Sequence, residues 1–343
     1  MDYTSSSRFS GSKLVLAIMA MSSTLAAQAL PVLNLGEAGN YSGFFFGDVT
    51  AHSDVEGRLA VRGDLTIPSI SVGYRNAYGD NSPSVVVGGN VNVGDGAIYN
   101  GAKDPSINTN LTIGPSTAYW VPGAVNAGTG MYGGSNLGNQ NLGFTQGSST
   151  AINKLFADSA SYLSSFQSAL SGLANTGTIN SSGWDIALSD ASKPSGNVHV
   201  FNVSSNQLKA FSLDTTNFGA NDYIVINLTA SGKISFAADY TGSNMASFSD
   251  RILFNAPNAT SIDLKSGFGA LIAPKADILA SSSGHWEGTL IANNNASTIE
   301  IGYEPFAATG GVTSAVPEPE TYAMLLAGLS AVGFVARRRN QSR

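Results

Sequence analysis

Three histidines and no cysteine bound the chemistry that this chain of 343 residues could perform. His52, His199 and His285 fall in three separate regions, without the close spacing of a zinc-binding helix motif. The absence of cysteine removes thiol chemistry and disulfides together. No Gly-x-Ser-x-Gly elbow and no phosphate-binding glycine loop is present. Acids are more suggestive. Asp54 and Glu56 are two residues apart on an alternating stretch, on one strand face and about 7 Å apart, and a carboxylate pair could serve glycoside hydrolysis. The preferred reading is a charged pair balanced by Arg58 and Arg62 on the same face. Asp80, Asp95 and Asp104 sit in expected loops where calcium could bind, yet none belongs to an Asp-x-Asp-x-Asp-Gly run. His285-Trp286-Glu287 concentrates polar and aromatic groups on which a sugar could stack, with core packing of Trp286 as the preferred alternative. Arg62-Gly63-Asp64 spells the tripeptide that some animal integrins bind, but alternation turns Arg62 and Asp64 outward on a strand, so it is read as chance. The expectation is a chain with no catalytic residue, no cofactor and no metal.

The elements that would position these residues are mostly strands. From Asp54 to Ile67 the sequence alternates, with Val55, Leu59, Val61, Leu65 and Ile67 on one face and Gly57 and Gly63 at the same parity. Ser84 to Val93 repeats the pattern, and Asn108 to Ile113 reads as a third strand, with Gly/Asn/Asp-rich loops between. The period then changes. Ile152, Leu155, Phe156, Leu163, Phe166, Leu170 and Leu173 recur at three- and four-residue steps, predicting an amphipathic helix over about 150–174. Ser149 or Thr150 would cap its start and Gly172 or Gly177 its end. Its serine-rich outer face lacks the basic residues of a membrane-surface helix, so it should pack lengthwise along a sheet.

Strands return at Val198–Val203, Tyr223–Leu228, Lys233–Phe236 and Arg251–Phe254. Ala256-Pro-Asn-Ala259 recurs as Ala273-Pro-Lys-Ala276, and Leu271-Ile-Ala273 is echoed by Leu290-Ile-Ala292. A period near 18 is that of one coil of a parallel β-helix, whose neighbours must stack and whose two ends need caps. Tyr41–Phe46 and Tyr303–Phe306 are the candidate caps. The fold expected is all-β: a parallel β-helix or solenoid ectodomain with one long helix alongside.

Both chain ends read as addresses. Arg8 and Lys13, then Leu14–Met21, then Ala27-Gln28-Ala29 make a secretory signal over residues 1–29 with cleavage after Ala29. Val316-Pro317-Glu318-Pro319 precedes an uncharged run over 322–336 and then Arg337-Arg338-Arg339. As a helix that run measures about 22 Å against a hydrocarbon core of about 30 Å, a marginal transmembrane span. The three parts together resemble the PEP-CTERM sorting signal of Gram-negative exported proteins. The resemblance implies that an exosortase, an integral membrane cysteine protease, cuts near the motif and passes the protein outward. Between the addresses, residues 30–314 keep 11 basic against 20 acidic residues, a net charge of about −9. That acidity argues against nucleic acid and anionic lipid as partners.

Within this ectodomain, Leu35-Gly36, Phe46-Gly47-Asp48, Ser53 to Val61 and Val87-Gly88-Gly89-Asn90-Val91 are similar to the choice-of-anchor A domain of bacterial surface proteins. The resemblance implies an adhesive module and brings no catalytic residues. Strands, then a helix, then more rungs also resembles the discontinuous solenoid of ice-binding-like proteins in layout. The function expected is an exported surface or matrix protein touching exopolysaccharide or another cell surface, membrane-anchored by its C-terminal helix before release to the surface or medium. A polysaccharide-processing β-helix enzyme and an ice- or crystal-surface binder are the alternatives, the second requiring a flat threonine ladder where only scattered Thr112, Thr215, Thr216 and Thr229 are available.

Overall fold

A computed structural model of the chain describes residues 30–51, 53–77, 82–101, 128–182, 185–190, 197–239 and 245–309. His52, Asp80, Asp104, the expected strand over 108–113, the signal segment with Ala27 and Ala29, and the C-terminal segment with Val316, Pro317, Glu318, Pro319, the apolar run and Arg337, Arg338 and Arg339 lie outside these residues. Among the described residues no helix is long and apolar enough to cross a membrane.

The apolar runs without alternation form one face. Ten short strands stack in parallel there: β1 (Gly43–Phe45), β2 (Leu59–Val61), β3 (Val85–Val87), β4 (Gly130–Tyr132), β5 (Phe144–Gln146), β6 (Val198–Val203), β7 (Tyr223–Leu228), β8 (Ile252–Asn255), β9 (Ala270–Ala273) and β10 (Leu290–Ala292). Their order in space is β6-β7-β8-β9-β10-β1-β2-β3-β4-β5. The first strand therefore lies in the middle of the solenoid. The chain winds out to β5, returns to the far end through a helix, and winds back until β10 docks on the free edge of β1, with Gly43 opposite both Leu59 and Leu290. This overturns the expectation that Tyr41–Phe46 caps an end: both edges of β1 are hydrogen-bonded by neighbours, so it is an interior rung.

Alternate residues on these strands point inward. Phe45, Leu59, Val61, Val85, Phe201, Ile226, Phe254, Leu271 and Leu290 fill the solenoid core. The residues between them, such as Phe44, Val200, Val225, Leu253, Ile272 and Ile291, are equally buried. What covers them is α1 (Ser149–Ser171), whose Ile152, Phe156, Leu163, Phe166 and Leu170 are buried and whose Phe156 ring lies 4.9 Å from that of Phe44. A sheet covered on both faces needs no polar alternation, which is why these strands read as continuous apolar runs. Ser148, one residue before the expected cap, accepts from Ala151 N, and Gly172 ends the helix as anticipated. Ser161, Ser165, Ser168 and Ser171 each donate to the carbonyl four residues back, so the exposed serines satisfy themselves on the helix.

The C-terminal turns of α1 are tied to the sheet by a buried amide ladder. Asn255 donates to Asn227 Oδ1 at 2.8 Å, Asn227 donates to Asn202 Oδ1 at 2.8 Å, and Gln167 donates to Asn255 Oδ1 at 3.0 Å. The same amides also donate to the Leu170 carbonyl in the last turn of α1 and to the Leu173 carbonyl just beyond it.

Two narrower faces close the coil. One runs from the antiparallel hairpin Thr178–Ser182/Asp185–Ser189 through Gln207–Asp214, Gly232–Asp239, Ala259–Asp263 and Asp277–Ile278, and continues by bridges through Asn295 and Val49 to the paired Leu65–Val72 and Val91–Ile98. The other contains Gly267–Phe268, His285–Glu287 and Glu300–Ile301, bridged by Val55 to Val72. The strand expected over 54–67 is interrupted at Arg62-Gly63, a corner between β2 and Leu65–Val72, although Val55, Leu59, Val61, Leu65 and Ile67 all face the core as expected. Nor is the period fixed at 18. Leu253 stands opposite Ala270 and Leu271 opposite Leu290, but Leu59 is opposite Val85 and Val198 opposite Tyr223, because corner loops absorb insertions without disturbing the rungs.

At one corner an Asx ladder links successive coils. Asp277 Oδ1 accepts from Asn294 N, Asn294 Oδ1 from Asp48 N at 2.6 Å, Asp48 Oδ1 from Asp64 N at 2.8 Å, Asp64 Oδ1 from Asn90 N at 2.7 Å, and Asn90 Oδ1 from Ser135 N at 3.0 Å. The ladder crosses the seam between the two halves of the solenoid without interruption.

Candidate functional site

The seam where β10 meets β1 is also where the ionisable residues converge. Val55 bridges Ile301 and Val72, Glu56 N donates to Ile301 O at 2.8 Å, and Arg75 N donates to Glu56 O at 2.9 Å, so three distant stretches fix one another's backbones. Their side chains close inward. Arg75 Nη1 contacts Glu56 Oε2 and lies 3.1 Å from Glu287 Oε1, bridging the two carboxylates. The Tyr74 hydroxyl donates to Glu56 Oε1 and the Tyr303 amide to Glu56 Oε2, each at 3.0 Å. His285 Nε2 is 2.7 Å from Glu287 Oε2, and its Nδ1 is 3.4 Å from Glu300 Oε1. Gly302 packs so closely that an added Cβ would lie 2.4 Å from the Glu287 carboxylate.

Electrostatics follow from this packing. Burial pulls the His285 pKa down, but its bonds to Glu287 and Glu300 and the charge of Glu56 outweigh that and raise it to about 10. Burial raises Glu287, yet His285 and Arg75 together hold it below the usual carboxylate range. Glu56 stays above that range because burial and the nearby Glu287 charge exceed the pull of Arg75. Asp54 is raised by burial and by Glu300.

A pair of carboxylates with pKa values pushed apart is the arrangement expected of an acid and a base. Here the side chains of Glu56 and Glu287 are 6% and 3% exposed and a guanidinium lies between them. Glu56, His285 and Glu287 offer ligand atoms within 4.8 Å of one another, close enough to bind a metal ion. An entering cation would have to displace both Arg75 and the His285 proton. As it stands the cluster is an ionic lock joining the start of the solenoid (Glu56, Tyr74, Arg75) to its end (His285, Glu287, Tyr303).

Several sequence expectations are corrected by this geometry. Glu56 is balanced by Arg75, not by Arg58 and Arg62, because the chain turns between them and buries Glu56. His285, which the spacing left isolated, is brought beside Glu56 by coils that are far apart in sequence. Tyr303 belongs to the seam and not to an end cap, since its amide binds Glu56 and its ring lies beneath the Arg75 guanidinium at 5.7 Å. Asp95 is not in a loop: it lies on Val91–Ile98 opposite Ser69, on a stretch where Gly94 and Gly96 let the backbone approach Pro68 and Ile70 closely. Arg62-Gly63-Asp64 sits at a corner, with the Asp64 carboxylate engaged in the Asx ladder. Trp286 is fully buried against Phe236 and Phe254, its indole N–H donating to Gly269 O at 2.9 Å, as core packing requires.

Sequence reading missed Arg75, which carries no local signal. It also missed the Asx ladder, which did have one: Gly47-Asp48, Gly63-Asp64 and Gly89-Asn90 each follow a strand of the first face. A second buried cluster near the far end was invisible for the same reason as the first. His199 Nδ1 is 2.8 Å from Asp190 and Nε2 is 3.0 Å from Asp222, with Phe218 stacked on the ring at 3.6 Å.

A family model described as "Putative Ice-binding-like adhesive domain" matches residues 34–303, the whole of this solenoid. A second, the PEP-CTERM protein-sorting motif, matches residues 315–339. No curated protein matches the chain. Similar solved structures include an ice-binding protein from the Antarctic ascomycete Antarctomyces psychrotrophicus, at 13% identity over 81% of this chain and 99% of that one, with a TM-score of 0.34. Another is an ice-binding protein from an Arctic yeast, at 11% identity over 83% of this chain and 99% of that one, with a TM-score of 0.31.

Proposed function

The chain belongs to the ice-binding-like adhesive domain family, and we propose that it is a non-enzymatic adhesin that binds exopolysaccharide in the extracellular matrix of a biofilm. Its PEP-CTERM motif marks it as an exported surface protein. The observation that carries the reading is the succession, in one chain, of an adhesive domain over 34–303 and a sorting motif over 315–339. In this reading Val316, Pro317, Glu318 and Pro319 are read by the exosortase. Residues 322–336 hold the chain in the membrane until it is processed, with Arg337, Arg338 and Arg339 on the cytoplasmic side. The export signal is removed after Ala29. The finer resemblance, to choice-of-anchor A domains, belongs to the same reading.

Mass spectrometry of the protein from cells with and without the exosortase tests the sorting step. Loss of the residues following Pro319 only when the enzyme is present is expected, and an unchanged C-terminal mass in both strains refutes it. Adsorption of the processed chain to exopolysaccharide from the producing cells tests the adhesive step, and no retention above an albumin control refutes that.

Ice or crystal binding is the second reading, favoured by the family's description. Against it, Thr66 stands opposite Asn92, and Lys233 and Ser235 stand opposite Ser261 and Asp263, so these adjacent positions form no threonine ladder. Thermal hysteresis of the processed chain above that of buffer would decide for this reading.

A further inference from the structure

The seam carries a cavity beside the ionic lock, with which it shares Tyr303. It has a volume of about 180 Å³ and is walled by residues from both halves of the solenoid, among them Tyr41, Arg58, Asn76, Ala77, Thr289 and Tyr303. The geometry points to a binding site for a single neutral hexose unit of a polysaccharide. This rests on the adhesive reading above and adds to it a place and a ligand class.

Three features argue for that ligand. The first is size: the volume falls below the roughly 300–1,000 Å³ of sites for drug-sized molecules, which suits one sugar ring and excludes a long oligosaccharide lying within. The second is the lining. Tyr41 and Tyr303 supply aromatic surface on which the C–H face of a pyranose can lie, while Arg58, Asn76 and Thr289 supply hydrogen-bonding groups for its hydroxyls. Asn76 is held in place by its bond to Ser84 Oγ at 3.1 Å, and Thr289 is buried, so these groups are preorganised. The third is charge. Arg58 lies near Tyr41, but Glu37 acts on the same phenol and accepts from Asn40, which also lines the cavity. The charge of Arg58 in the lining is thus offset by Glu37, which is bonded to a lining residue, and this favours an uncharged ligand over a uronate.

The position has a mechanical consequence. Tyr303 lines the cavity while its amide holds Glu56 and its ring underlies Arg75. A sugar seated there would be gripped by a cross-linked part of the solenoid, where a pulling force meets the ionic lock.

Saturation-transfer difference NMR on the processed chain, with the methyl glycosides of glucose, galactose and mannose and with glucuronate, tests the site. Transfer to at least one neutral glycoside is expected. It should fall about tenfold in Ala77→Trp, which places an indole in the cavity from an exposed position, and in Arg58→Gln, which removes the charged donors; tenfold is the loss of about 1.4 kcal/mol. Arg58→Gln keeps the test open if Ala77→Trp does not fold, and the circular dichroism melt of each variant reports which case applies. No transfer to any neutral glycoside, transfer to glucuronate alone, or transfer unchanged in a folded variant would overturn the assignment. The adhesive reading fails separately. If the whole polysaccharide binds equally to the parent and to folded Ala77→Trp, the cavity is wrong and adhesion stands. If a hexose binds in the cavity and the polysaccharide does not, adhesion is wrong and the cavity stands.

Discussion

Replacing Arg75 with methionine should open the seam. The substitution keeps most of the apolar stem and removes the guanidinium that bridges Glu56 and Glu287, leaving two carboxylates in a space where their side chains are 6% and 3% exposed. Removing one partner of a buried ion pair costs about 3–5 kcal/mol, because the remaining charge is desolvated without compensation. Glu287 keeps its bond to the protonated His285, so Glu56 is the charge left uncompensated, which places this substitution within that range. Part of the cost is recovered if Glu56, whose pKa burial already raises, takes up a proton. The net expectation is a loss of about 3–4 kcal/mol at pH 7. For domains of 150–250 residues each kcal/mol moves Tm by about 2–4 °C, so the melt should fall by roughly 6–16 °C. Guanidinium unfolding followed by tryptophan fluorescence is the appropriate assay, because Trp286 is buried beside Glu287. The control is Lys154→Met, which breaks an exposed helix pair and should cost under about 0.5 kcal/mol. If Arg75→Met costs less than about 1 kcal/mol while its m-value matches the parent, the cluster is not a lock and the reasoning fails.

Two further perturbations test the same structure. The proton on His285 is held in the folded state up to a pKa of about 10, against 6.5 unfolded. Folding therefore takes up a proton between these values, and the contribution of His285, complete below pH 6.5, is lost as pH rises toward 10. Denaturant midpoints should decline across that window, and His285→Gln should flatten the decline; an unaltered slope in the variant would exclude the assignment. At the helix, Asn255→Leu takes from Gln167, Asn227 and Ser171 the bond that each makes to Asn255, and leaves Asn227 Oδ1 buried without that donor. A loss of about 2–3 kcal/mol is expected, with hydrogen exchange rising first in α1, and equal protection of α1 in parent and variant would count against the amide ladder.

Much of the architecture was legible because local periodicity reports burial. The strands Val198–Val203 and Tyr223–Leu228 and the helix with its Gly172 stop were readable to within a residue or two. The stacking of Phe254, Leu271 and Leu290 was visible in repeats 17 and 19 residues apart, where the corners are short and the coil length is steady. Where corners are long, as between Leu59 and Val85, the repeat vanishes from the sequence although the rungs still align. Gly94-Asp95-Gly96 misled for a related reason: glycine signals a loop and close strand stacking equally, and only the neighbour at Ile70 separates the two.

By itself, then, the sequence determined the class of the protein: a C-terminal sorting motif, a cysteine-free acidic composition, parallel coils and an amphipathic helix. Each of these depends on composition or on contacts between near neighbours along the chain. Only the tertiary structure decided where the first strand lies within the solenoid, and with it the meeting of Glu56 and Arg75 with His285 and Glu287. Closing a loop of more than two hundred residues costs entropy that grows only slowly with length, so the edge of β1 can wait for β10. No pattern in the intervening residues has to announce the partnership, because it is fixed by which strand edge is left open and not by any local preference.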